Sequence, residues 1–156
     1  METMEMIHKE HRNIEAVLRV LKKEIVSLAI DQRVDKVMWA MSLAFIKDSV
    51  IDFHHLRERE YFREYKLISL YESSSEMLHT ITEYHELVEL QYNKLVECWN
   101  LYQEGQTLAR FNVMEEGEKL IRLLGASMLL EEKLFNLTTH ELSLIHISEP
   151  TRHSLI

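Results

Sequence analysis

The chain of 156 residues has one cysteine, one proline and three glycines. A single cysteine excludes an intramolecular disulfide and any zinc site built from several thiolates, and this usage fits a reducing compartment. So little proline and glycine leaves almost no punctuation for strands and tight turns. No apolar run approaches the length of a membrane span. The opening METMEMIHKEH lacks the basic and apolar regions of a secretory signal. These absences together imply a cytoplasmic protein. Positive charge is also scarce: the formal net charge is −8, which argues against nucleic-acid binding, since phosphate backbones demand a basic face. Nothing suggests a membrane partner.

What is present is a set of good helix formers, rich in Leu, Glu, Met and Lys, so the chain reads as all-α and as one domain long enough to bury a core. Nine histidines are many for an acidic helical protein and hint at metal. From Leu142 the sequence reads LSLIHISEPTRHSLI, which resembles the translation of an adapter used in preparing sequencing libraries. Residues 142–156 are therefore expected to be a non-native tail, and residues 1–141 the domain. His146 and His153, which lie in that tail, carry no functional weight.

Four helical segments follow from apolar spacing. The first runs from about Glu5 to Leu28, its stripe being Ile7, His11, Ile14, Leu18, Leu21, Ile25 and Leu28. The second runs from about Val34 to Leu70 behind Asp31, read as its N-cap, and is long enough for a kink or break. The third follows Ser73 to Glu76, which have capping-box spacing, and its stripe is Leu78, Ile81, His85, Val88, Tyr92, Leu95, Trp99 and Tyr102. Gly105 is its expected C-cap. The fourth begins near Thr107 and carries Leu120, Leu124, Ser127, Glu131 and Leu134; Gly117 and Gly125 weaken it. Short connections between long helices imply an up-down-up-down antiparallel four-helix bundle.

Each stripe should be apolar, yet each holds polar residues. Burying one without a partner costs on the order of 2–7 kcal/mol, so several together need a compensating one. Glu58 lies roughly a dozen residues before the turn near Ser73 and His85 roughly a dozen after it, so the helical rise sets both at a similar level. Ser127 and Glu131 match His85 across the Gly105 turn in the same way, and His11 falls within about two turns of the His54 level. His54 and Glu58 are i,i+4 and stack on one helix face. Mixed imidazole and carboxylate ligation suits iron or manganese, selects less well against zinc, and makes an all-protein magnesium or calcium cage a poor fit.

The segments IHKEHRNIEAVLRVL, FHHLREREYF, EYHELV and SMLLEEKLF resemble, in order, the four helix signatures of the hemerythrin-like, HHE cation-binding domain family, over nearly all of residues 1–141. The resemblance implies a di-iron centre that binds or senses dioxygen, or acts in nitric oxide, peroxide or iron-repair chemistry. It implies metal ligands at His11, His54, Glu58, His85 and Glu131. It also implies a histidine on the fourth helix where this chain has Ser127, a poor neutral ligand, so one metal position should be weaker, water-filled or empty. His140 lies too far along the helix to substitute, and His8, one turn before His11, is a remote substitute.

The remaining polar and aromatic residues have plainer readings. His55 is expected at the surface or behind the ligands, and His79, Glu60 and Glu132 in solvent. Tyr61, Phe62 and Phe135 should pack as core, and Cys98 beside Trp99 as a small packing residue. No acid–base or nucleophile constellation stands out, so binding or sensing is expected ahead of dedicated catalysis. The rival readings are a degenerate, metal-free bundle that binds a protein partner, and an enzyme that processes peroxide or nitric oxide.

Overall fold

The computed structural model describes residues 2–30, 33–66 and 72–148, and among them only helices and their connections occur. The helices are α1 (Glu2–Ala29), α2 (Lys36–Phe45), α3 (His55–Lys66), α4 (Glu72–Gln103) and α5 (Ala109–Ser148). A π-helical segment, Ile46–His54, joins α2 to α3. The flanking residues Ile46 and His55 keep right-handed helical dihedrals, so α2, the π segment and α3 form one continuous helical rod. The chain therefore makes four long helical segments, as its periodicity implies.

Local chemistry explains most of the boundaries. Asp35 accepts hydrogen bonds from the backbone N–H groups of Val37 and Met38, both at 3.1 Å, and so starts α2. The expected cap, Asp31, lies outside the described residues, as does the expected end of the second segment at Leu70. Gly105, at φ 95°, ends α4. Its N–H bonds Tyr102 O at 3.1 Å and the N–H of Gln106 bonds Leu101 O at 3.1 Å, the paired bonds of a Schellman motif. Ser73 does not cap α4, because the helix already includes Glu72. Met77 and Leu78, packed against an apolar cluster, favour extension of the helix back past the serines.

Two apolar clusters lie along the helices. The larger includes Ile14, Leu18, Leu21 and Ile25 of α1, Trp39, Val50, Val88, Leu95, Trp99 and Leu124. Trp39 stacks on Trp99, with ring centroids 4.5 Å apart. Where α1 meets α5, a side chain at Gly117 would place its Cβ 2.8 Å from Ile25 Cδ1, so this glycine is a point of close helix approach and not merely a weak helix former. The smaller cluster holds Ile7, Phe62, Ile81, Leu134 and Phe135, with Tyr61 packed against it.

Every helical segment passes from one cluster to the other through a buried polar residue. In α1 the order is Ile7, His11, Ile14; in α4 it is Ile81, His85, Val88. In α5, Met128, Glu131 and Leu134 follow the same order of chemistry, and Val50, His54, Glu58 and Phe62 do so along the rod. The steps of three and four residues are those of core-facing positions. The result is a polar layer held between two apolar plugs.

Candidate metal centre

All five residues singled out in the sequence enter this layer. His11, His54, Glu58, His85 and Glu131 are each no more than 3% exposed. His11 Nε2 lies 3.2 Å from Glu58 Oε2 and 3.1 Å from Glu131 Oε1. His54 Nε2 lies 3.0 Å from Glu58 Oε1 and 3.7 Å from Glu131 Oε1. His85 Nε2 lies 3.5 Å from Glu58 Oε1 and 3.6 Å from Glu131 Oε2. Glu131 thus turns one oxygen to His11 and His54 and the other to His85.

These contacts leave hydrogen bonds unmade. His54 Nε2, Glu58 Oε1 and both ring nitrogens of His85 are buried without a hydrogen-bond partner, although His54 Nε2 and Glu58 Oε1 are only 3.0 Å apart. Buried polar atoms are nearly always paired, and each orphan costs about 1–3 kcal/mol. A cation accepting lone pairs from Glu58 Oε1 and the Nε2 atoms of His54 and His85 removes that cost for those three, and leaves His85 Nδ1 unpaired. One donor atom each from His11, His54, Glu58 and Glu131 lies within 4.8 Å of the others, and so does one each from His55, Glu58 and His85. The donors fit a metal ion, with Glu58 common to both groups.

Electrostatics give the metal-free layer its own balance. Burial works against a charged His11, but hydrogen bonds and charge from Glu131 and Glu58 outweigh it and raise its pKa to about 10. Burial, with the charge of Glu131, pushes Glu58 well above the usual carboxylate range. Burial pushes Glu131 upward too, and there the facing polar groups of Glu58, His11, His54 and His85 win and hold it well below that range. The imidazolium of His11 faces Glu131, held as a carboxylate, and Glu58, which burial biases toward its protonated form. Metal must displace these protons to bind.

Position 127, where the sequence resemblance implies a weakened metal position, is a fully buried serine. Its hydroxyl donates to Glu131 Oε2 at 2.5 Å, the oxygen that faces His85. The missing imidazole therefore belongs to the His85 side of the layer. His140 is exposed and takes no part.

The structure also adds residues. His55 is 2% exposed rather than at the surface. Its ring lies on that of His85, centroids 3.7 Å apart and planes within 7°, and burial followed by the charge of His85 drives its pKa down to about 2. The spacing Ile51, His55, Phe62 carried that signal, since all three face the core. Glu132 is only half-exposed and accepts from the rings of His11 and His8, at 2.7 and 2.8 Å. Glu10 accepts from His54 Nδ1 at 2.8 Å and is held in turn by Arg57 Nε at 3.4 Å. Such outer carboxylates fix the ring so that Nε2 points inward. Neither was legible, because each reaches its histidine across helices.

Of the other expected placements, His79 and Glu60 are exposed, and Phe62 and Phe135 are fully buried against the layer. Cys98 is partly buried beside the larger cluster, and burial pushes its thiol up, away from a reactive thiolate. No described helix is long and apolar enough to cross a membrane. Comparison with protein-family models finds no match, and neither do comparisons with curated proteins and with solved structures.

Proposed function

We propose that this chain is a hemerythrin-like non-haem iron protein, an up-down-up-down bundle that binds or senses dioxygen, nitric oxide or peroxide in the cytoplasm. The observation that carries the reading is the layer of buried imidazoles and carboxylates at core positions of all four helical segments, with orphaned atoms on His54, Glu58 and His85. His11, His54, Glu58 and Glu131 would hold one ion, and His85 with the two carboxylates would hold any second one. Imidazole with carboxylate favours iron or manganese over harder ions. Iron, when bound, supplies an electron-rich centre able to take a small diatomic ligand or peroxide. The protein's part is to exclude water with Phe62, Phe135, Leu134 and Met128, to hold the rings through Glu10 and Glu132, and to keep both carboxylates deprotonated once metal is present. Ser127 makes the His85 position the weaker one.

A second reading has an observation of its own. In the metal-free layer a charged His11 lies between the carboxyl groups of Glu58 and Glu131, whose pKa values burial and hydrogen bonding drive apart. That balance suits a bundle that has lost its metal and serves as a protein-interaction domain. Anaerobic reconstitution with ferrous iron, followed by metal counting and a visible spectrum in air, separates the two. Iron at one to two ions per chain, with an absorption band that responds to air, is expected. Iron near zero leaves the metal-free bundle.

A further inference from the structure

The buried layer has a half-exposed neighbour. Glu132 Oε1 lies 2.8 Å from His8 Nδ1 and 2.7 Å from His11 Nδ1. The side chains of His8 and Glu132 are 31% and 36% exposed, whereas that of His11 is 3% exposed. One donor atom from each of the three lies within 4.8 Å of the others. The His11 ring therefore belongs to two donor groups, turning Nδ1 to the outer one and Nε2 to Glu58 and Glu131 within.

A groove of about 730 Å³ between α1 and α5 reaches this point, with His11 and Glu132 in its lining beside Leu18, Met128 and Leu129. Gly125 forms part of the wall, and a Cβ there would meet no atom within 4 Å. Along the helices the layer is flanked by the two apolar clusters. The other outer carboxylate, Glu10, is already engaged by Arg57, whereas among the described residues Glu132 has no Lys or Arg within ion-pair distance. An imidazole, a carboxylate and an open groove make a place where a divalent cation arriving from solvent first exchanges water for protein.

We propose that His8, Glu132 and the Nδ1 edge of His11 form a loading site for the metal ion, which passes from it into the buried layer. The inference rests on the metal-binding reading of that layer. On loading, His11 gives up its Nδ1 proton. On transfer the bonds to His8, Glu132 and His11 Nδ1 break as bonds to His11 Nε2, His54, Glu58 and Glu131 form. Nδ1 then takes a proton back from water, and the proton of Nε2 with any on Glu58 leaves by the same groove. A loading site acts on rates in both directions and leaves the final affinity in place. A group that merely orients His11 would instead alter affinity, by about 10–100-fold for such outer partners.

Cobaltous ion, which is coloured when bound and stable to air, is the probe. Its uptake by the full chain is followed by stopped-flow absorbance, its release by competition with a chelator, and its final stoichiometry by metal analysis. His8→Gln removes the outermost ligand without touching the inner ones. Gly125→Phe narrows the groove at an exposed helical position and leaves every ligand intact. Expected for both is uptake and release slowed by the same factor, with the same number of ions bound at saturation. Unchanged uptake in His8→Gln overturns the loading site, and so does faster release with weaker binding. Failure of the wild-type chain to take up metal overturns the metal reading itself, a result distinct from either. Circular dichroism of each variant confirms that the helices remain.

Discussion

The two sides of the polar layer are built to different standards. On one side His11 and His54 each point Nε2 inward while an outer carboxylate, Glu132 or Glu10, grips Nδ1. On the other side His85 has no hydrogen bond at either nitrogen, its ring rests on His55, and Ser127 stands where a further imidazole is expected. The first side has both its inward-facing atoms and the groups that aim them. The second has an inward-facing atom held only by stacking. A ring fixed by a charge-assisted hydrogen bond is pre-oriented for a metal, while one fixed by a neighbour's face keeps a soft torsion about χ2. The His11–His54 side should therefore bind first and hold harder.

The most severe way to break this contrast is to remove what both sides share. Glu58→Ala deletes the oxygens that face all three histidines, and metal analysis should find both positions empty. If one ion remains, Glu58 is not common to the two. Next, Glu10→Gln leaves Arg57 in place but takes the charge from the grip on His54. Metal affinity should fall about 10–100-fold, as for other outer partners, and a chelator titration measures it. A variant with wild-type affinity would mean that the better-built side gains nothing from its outer shell.

The pH dependence comes third. His11 is raised from 6.5 to about 10 in the metal-free fold, so its contribution to stability is complete below 6.5 and disappears as pH rises through about 10. Glu58, raised as well, also makes the fold less stable as pH rises above its unfolded value. Glu131, held low, contributes a constant amount over this range. Thermal melts of metal-free protein should lose melting temperature steadily from about pH 7 to 10, while the metal-loaded protein, with no proton on His11, should not show that loss. A metal-free melting temperature that rises over the same range would contradict the charge pattern. The smallest effect expected is from Ser127→His, which adds an imidazole on the side of Glu131 that faces His85 and should raise iron per chain by no more than about twofold if only the second position gains. No increase would place the fourth segment in a different register.

Much of the layer was legible in the sequence, for a definite reason. His11, His85 and Glu131 interrupt apolar stripes whose spacing fixes their direction, and His54 with Glu58 occupies one face at i,i+4. Periodicity reports which way a residue points, so it found the residues that point inward. It gave no account of Glu10, set Glu132 in solvent and His8 as only a remote substitute, and left His55 between the surface and a place behind the ligands; the partnerships of Glu10 and Glu132 form across helices. It also allowed for a break in the second segment but not for its form. A π segment differs from an α-helix in which carbonyl each N–H reaches, as with His55 N–H to Val50 O, and no apolar pattern encodes that choice. At Ser73, a local capping signal yielded to packing further along the helix.

The paired tryptophans have a use that their packing does not suggest. Trp39 and Trp99 are the chain's two tryptophans, both buried and stacked face to face in the larger apolar cluster. The intrinsic fluorescence of the protein therefore comes from one spot, on one side of the polar layer. Followed during unfolding beside the colour of a bound metal, that emission gives each region its own optical clock. Coincident decays would mean that the plug and the layer come apart as a single cooperative unit. A colour lost before the emission changes would mean that the layer opens while the tryptophan end is still folded.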